Sequence, residues 1–328
     1  MATDFWTAQD RARSRTKFYL TLFIAMTLGA AICVEVVART LAPQNFGGPF
    51  PIAGGIFAGT VFLISRVQYG KFKTYGGGYV AESMGGQRVD ANSSDFQEQQ
   101  LYNIVQEMAI ASGMPMPAVY IIDAKQINAF AAGLEQSNAA IAVTRGCLEL
   151  LNRDELQGVV AHEFGHIYNK DMRISLRLSA MLMGFFFLLT IALRVLQGAA
   201  LSGRRSNSRG GNPVALLALI MLVAGAFTWL FGAILRAATS RQREFLADAC
   251  AVQFTRNPSG IASALRKIGG MHVNDMPKQG MAYEHLYFDH RGFFSGLFAT
   301  HPPLKKRLEA IEGNSYDPGR DLTGSQST

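Results

Sequence analysis

The sequence predicts a mainly α-helical fold with a small β-sheet (α+β), attached to about four transmembrane helices. Three observations carry that prediction. Four apolar runs, near residues 18–37, 46–65, 178–193 and 213–235, approach or reach the length that crosses a bilayer. Three short apolar runs between residues 118 and 144 have the length and turn boundaries of strands. Elsewhere apolar residues recur at helical spacing, including the stretch around His162.

Taken in order, Phe18 to Val34 is uncharged and apolar, and Arg11, Arg13, Arg15 and Lys17 precede it. Glu35 and Arg39 follow, in place of a small-residue cleavage site, so the run reads as a retained transmembrane helix and not a signal peptide. Phe46 to Ser65 is the second run, with Pro49 and Pro51 at its entrance and Arg66, Lys71 and Lys73 beyond it. Basic outer flanks place those flanks in the cytoplasm, making 1–74 a membrane hairpin with a short non-cytoplasmic loop near 42–48. Leu178 to Leu193 and Pro213 to Leu235 are the third and fourth runs, a second hydrophobic hairpin over 178–235. The loop between them carries Arg204, Arg205 and Arg209, which opposes the positive-inside tendency if the pair spans. Two arrangements therefore stand, a spanning pair or a hairpin that dips into one leaflet or packs on protein, and spanning is the expectation.

The formal charge of +7 over 328 residues sits mainly beside these apolar runs. That distribution suits a membrane surface, and no aromatic-and-basic motif points to nucleic acid. Cys33, Cys147 and Cys250 have no metal-type spacing and read as reduced, small apolar residues.

The soluble domain is expected in two pieces, 75–177 and 236–314, with 315–328 a polar, disordered tail. Tyr75-Gly76-Gly77-Gly78-Tyr79 reads as a linker. Ser94 to Met114 is a helix with Leu101, Ile104, Val105, Met108 and Ala111 on one stripe, stopped by Pro115 and Pro117. Ala118–Ile122, Asn128–Gly133 and Ala139–Thr144 are strands, with Asn138 in a turn. Asn152 caps the next helix, whose first turn carries Asp154 and Glu155 and whose apolar face is Leu156, Val159, Val160 and Ile167. Further helices start near Arg236 and cover Ser259 to Ile268.

That capped helix contains His162-Glu163-Phe164-Gly165-His166. Residues four apart share a helical face, so both imidazoles reach one metal ion, and Glu163 lies where a carboxylate takes a proton from a metal-activated water. A three-position pattern also arises by chance on amphipathic helices, but here the helix is predicted independently of the motif. Catalytic zinc usually has three protein ligands. Glu244 is the best third candidate, with Asp248 on the same face to orient an imidazole; the plain alternative is a solvated helix with local Arg–Glu pairs. Asn169 and Asp171 read equally as outer partners of the site or as polar groups near a membrane boundary.

His162-Glu163-x-x-His166, Glu244-x-x-x-Asp248 and Thr300-His301-Pro302-Pro303 together resemble the M48 family of membrane metallopeptidases. The likeness is nearest to its bacterial HtpX-type heat-shock proteases, with the CAAX prenyl proteases more distant. Asn128-Ala129-Phe130-Ala131 resembles the strand motif of that type, and the resemblance covers roughly Gln99 to Leu308 with the preceding hairpin. It implies a zincin-type (gluzincin) peptidase domain, one Zn2+ per chain held by His162, His166 and Glu244, and stress-linked endopeptidase activity on misfolded or damaged membrane proteins. It also implies that His301 and Arg307 stabilise the reacting carbonyl. The strand at Asn128 to Ala131 would pair with extended polypeptide through backbone hydrogen bonds.

One metal shared by His162 and Glu244 requires an even number of crossings between them. Twelve residues separate His166 from Leu178, roughly 18 Å of helix, and nine separate Leu235 from Glu244, roughly 13 Å. The expectation is a multi-pass inner-membrane protein with its catalytic domain on the cytoplasmic side, acting on polypeptides and not on nucleic acid. A CAAX prenyl-protein protease and a non-catalytic scaffold with a structural metal are the alternatives.

Overall fold

The protein is described by a computed structural model over residues 5–202, 213–270 and 303–313. The arginine-rich loop and the C-terminal tail lie outside the described residues. In chain order the first elements are α1 (Phe5–Leu41), α2 (Pro43–Phe46), α3 (Ile52–Ser83), β1 (Gly86–Arg88), α4 (Phe96–Ser112), β2 (Ala118–Ile122), β3 (Ala129–Ala132) and β4 (Ala140–Thr144). They are followed by α5 (Arg145–Leu150), α6 (Arg153–Tyr168), α7 (Asp171–Ser202), α8 (Pro213–Thr255), α9 (Pro258–Gly270) and α10 (Leu304–Glu312). The chain divides into two compact units, Met1–Thr74 with Ile174–Thr239, and Tyr75–Arg173 with Ser240–Thr328.

Among the described residues four helices are long and apolar enough to cross a membrane, at Thr21–Leu41, Ile52–Ser83, Asp171–Ala200 and Pro213–Gly232, mostly within the first unit. Their contacts combine aromatic rings, aliphatic side chains such as Val34, Val61, Leu178 and Leu182, and small residues. Phe185 lies 5.4 Å from Phe23 and 6.3 Å from Phe57 between ring centroids. A Cβ at Gly184 would fall 2.8 Å from the Val61 carbonyl, so that crossing depends on glycine. At the hairpin turn Glu35 accepts hydrogen bonds from Gly54 N (3.0 Å) and Arg39 Nε (2.6 Å), which gives a carboxylate in an apolar helix its partners. Leu28, Ile32, Phe62, Leu63, Val223 and Phe227 stay exposed, an outward surface suited to lipid.

The second unit is built on a four-stranded sheet of order β1-β2-β4-β3. β2 and β4 are parallel, while β1 and β3 run antiparallel to their neighbours. Val119, Ile121, Ile141 and Val143 from the sheet, Leu101, Ile104, Val105 and Met108 from α4, and Val159, Val160, Phe164 and Ile167 from α6 form one buried cluster. Each such side chain contributes roughly 1.5–3 kcal/mol on burial. α6 is fixed at its start by a reciprocal cap: Asn152 Oδ1 accepts from Glu155 N and Glu155 Oε2 accepts from Asn152 N. Glu155 also receives Ser263 Oγ and Lys267 Nζ, both at 2.7 Å, which ties α6 to α9.

Three elements differ from expectation. The first two apolar helices are longer, and the second begins at Ile52, after the Pro49 and Pro51 region. The glycine run stands at the junction of the two units, as a linker would, but it is not loose chain: α3 kinks at Gly76 (φ 66°, ψ −158°) and continues helically to Ser83. Missing side chains are what the packing needs there, since a Cβ on Gly77 would collide with the Ala132 carbonyl and one on Gly78 with the Tyr120 hydroxyl. β1, only three polar or small residues long, has no apolar alternation to announce it.

Candidate metal centre

α6 sets His162 and His166 one turn apart, with ring centroids 4.8 Å apart and planes at 90°. α8 lies close enough to α6 to meet them because residue 165 is glycine. A Cβ there would stand 2.9 Å from Ala247 Cα and 3.0 Å from Ala247 O. Glu244, one turn before Ala247 on α8, lays one carboxylate oxygen toward each imidazole: Oε2 is 3.6 Å from His162 Nε2, and Oε1 is 3.6 Å from His166 Nε2. Ligand atoms of the three residues all lie within 4.8 Å of one another. A separation of 3.6 Å is too long for a good hydrogen bond. It is close to the edge, about 3.3 Å, of a tetrahedron with bonds of about 2.0–2.1 Å to nitrogen and oxygen.

Behind these atoms is a layer of charge. Asp248 Oδ1 is 2.9 Å from His162 Nδ1, and the Arg307 guanidinium from α10 grips Asp248 as a fork, Nε on Oδ2 at 2.9 Å and Nη2 on Oδ1 at 2.7 Å. Arg307 Nη1 lies 3.5 Å from Glu244 Oε2. On the other imidazole, Asp171 Oδ2 is 3.3 Å from His166 Nδ1, and Arg243 Nε is 3.3 Å from Asp171 Oδ1. Glu163, Asp171, Glu244, Asp248, Arg243 and Arg307 are all buried. Among the described residues four carboxylates face two guanidiniums, an acidic excess of the kind that suits a cation held by the imidazoles.

The protonation behaviour agrees. Burial pulls the His162 imidazole down, but its contacts with Asp248 and Glu244 outweigh burial and push it up to about 9. His166 rises for the same reason, through Asp171 against burial. Burial opposes ionisation of Asp248, yet the Arg307 charge and fork hold it below the ordinary carboxylate range. The surroundings favour positive charge at both imidazoles, and a bound cation would supply it.

Glu163 is buried beside this cluster and, among the described residues, makes no hydrogen bond or ion pair. Its charge is felt at His166 and Arg307. Asn128 precedes the edge strand: its Oδ1 accepts from Ala129 N, and its carbonyl accepts from Thr144 Oγ1 and Cys147 Sγ. Ala129, Phe130 and Ala131 form β3 with Ala132, and all four are buried. Cys147 is a buried thiol pushed up to about 11 by desolvation, and the three cysteines are free. His301 lies outside the described residues. The structure thus gathers His162, Glu163, His166, Glu244, Asp248 and Arg307 at one place. Sequence reasoning missed Gly165 and Arg243, and left Asp171 undecided.

Comparison with known proteins follows the same outline. The profile described as Peptidase family M48 matches residues 95–315. The chain belongs to peptidase family M48. Among its relatives, a "Protease HtpX homolog" of Caldanaerobacter subterraneus subsp. tengcongensis is 39% identical over 213 residues, 65% of this chain and 71% of that one. Another "Protease HtpX homolog", from Tropheryma whipplei strain Twist, is 34% identical over 278 residues, 82% of this chain and 92% of its own. The crystal structure of S. mikatae Ste24p is similar with a TM-score of 0.48 at 17% identity, over 92% of this chain and 67% of that one. As an M48 protein with four apolar helices, it is a membrane metalloprotease.

Proposed function

We propose that this M48 protein is a zinc endopeptidase that cleaves misfolded or damaged membrane polypeptides from the cytoplasmic face of the inner membrane. The observation that carries the zinc reading is the convergence of two imidazoles and one carboxylate on a point ringed by excess negative charge. A structural zinc site is normally closed by four protein ligands; the cluster found among the described residues has three, which suits an open, catalytic site.

His162, His166 and Glu244 would hold the zinc ion, whose chemistry when bound would be to acidify water toward a pKa of about 7 and to polarise the scissile carbonyl. Glu163, without a hydrogen-bonding partner among the described residues, takes the proton of the attacking water and delivers it to the departing amine. Asp248 fixes the His162 ring through Nδ1 and leaves Nε2 for the metal. Arg307 holds Asp248, and its Nη1, 3.5 Å from Glu244 Oε2, would supply positive charge for the developing carbonyl oxygen, as the family resemblance implies. The family resemblance gives His301 the same task. The backbone of Asn128, Ala129, Phe130 and Ala131 binds extended substrate, a recognition mode tolerant of sequence and suited to damaged proteins. Basic residues next to the first two apolar helices support a cytoplasmic position for their outer flanks.

Purified full-length protein in detergent is expected to carry about one zinc ion per chain, to lose casein cleavage with a chelator and to regain it with added zinc. Glu244→Ala should be isolated largely free of metal; wild-type zinc content in that variant removes Glu244 as a ligand.

A further inference from the structure

The geometry points to a second imidazole-orienting arm: Asp171, held by Arg243, positions His166 for the metal as Asp248, held by Arg307, positions His162. The inference rests on the metal reading above and extends it to two residues outside the ligand set.

The arm is assembled by a turn. α6 ends at Tyr168, Asn169 caps it through Nδ2 on the Gly165 carbonyl (2.8 Å), and Lys170 adopts φ 59°. A left-handed backbone is unfavourable for lysine and persists where its surroundings hold it. Its effect is to start α7 at Asp171, with the carboxylate turned back on His166 Nδ1 at 3.3 Å. As the first residue of a helix, Asp171 gains further from the positive end of the helix dipole. Arg243 reaches its other oxygen at 3.3 Å and its carbonyl at 3.5 Å. Both residues are buried, at 6% and 5% exposure. Arg243 immediately precedes Glu244, so one turn of α8 supplies a ligand to the metal and a clamp to the orienting carboxylate.

The competing reading is a plain ion pair tying α7 to α8. Two features favour the arm. Asp171 divides its oxygens, one to Arg243 and one to the imidazole nitrogen that faces away from Glu244, where an ion pair alone would leave the second oxygen elsewhere. The arrangement also repeats the Arg307–Asp248–His162 order, guanidinium to carboxylate to Nδ1, with each Nε2 3.6 Å from a Glu244 oxygen. A carboxylate on Nδ1 fixes the tautomer that presents the Nε2 lone pair, and it raises the ligand's basicity.

The test uses full-length protein in detergent, with zinc affinity measured by competition with a chromophoric chelator and ligand geometry read from the visible spectrum of the Co2+-loaded protein. Asp171→Ala should bind zinc about 10- to 100-fold more weakly and shift the Co2+ bands, with the metal-free protein folded but melting lower because the Arg243 charge is left unpaired, a loss that a merely structural ion pair would show without the spectral change. Asp171→Asn, which still accepts the Nδ1 hydrogen, should fall between the two; if the alanine variant does not fold, the asparagine variant decides. Wild-type affinity and an unchanged spectrum in a folded variant would overturn the arm and leave the metal site standing. Wild-type protein that takes up no metal would overturn both.

Discussion

Glu155 and Glu163 lie two turns apart on α6, and both are buried, at 2% and 3% exposure. Glu155 has a partner for every demand: the Asn152 amide, the Ser263 hydroxyl and the Lys267 ammonium. Glu163 has no hydrogen bond or ion pair among the described residues, and lies beside three side chains able to hold a metal. A buried carboxylate costs several kcal/mol unless it is paired. Where partners surround it, the charge closes a helix–helix joint. Where none is found among the described residues, as at Glu163, the uncompensated cost is what the proposed role as proton carrier would account for. The two ends of one helix therefore separate architecture from chemistry more cleanly than burial or charge alone.

Exchanging the two carboxylates for amides tests that separation. Glu163→Gln should lower kcat/KM by about 10²- to 10⁴-fold, keep its zinc, and melt no lower than wild type. A variant that cleaves casein at the wild-type rate would remove Glu163 as the proton carrier. Glu155→Gln should do the opposite, with about 1–3 kcal/mol of stability lost and turnover per folded molecule little changed.

The difference also has a pH signature. Burial opposes ionisation of Glu155, but Lys267, Ser263 and the Asn152 amide hold its pKa below the ordinary glutamate value. A depressed folded-state pKa means its stabilisation is complete above the unfolded value, about 4.3, and is lost as pH falls through the folded one. Melting curves of wild type and Glu155→Gln should therefore be furthest apart near neutrality and converge in acid. A gap that widens below pH 4 would show that Glu155 stabilises in its neutral form.

What could be read in advance divides along similar lines. The His162–His166 spacing, the Asn152 cap and the Glu244–Asp248 pair are local patterns, each carried by one helix period, and the sequence displays them directly. The partners of His166 depend on a left-handed lysine and on an arginine 72 residues beyond Asp171, neither of which leaves a periodic trace. Gly76, Gly77 and Gly78 are legible as a junction but not as a packed helix. Glycine is common in linkers and at tight packing sites, and only the approach of Ala132 and Tyr120 separates the two. β1 pairs through its backbone with β2, so its polar side chains carry no strand signal.

The contact at Gly165 makes residue 165 a feeler gauge between two helices. The gap accepts a hydrogen atom and little more, since a methyl carbon would already press on the Ala247 backbone at 2.9 Å. The fourth letter of the His-Glu-x-x-His signature is thus not a free wildcard in this chain. A bulkier residue there would leave both histidines in place and still hold the carboxylate from α8 at arm's length, preserving the written motif while emptying it of meaning.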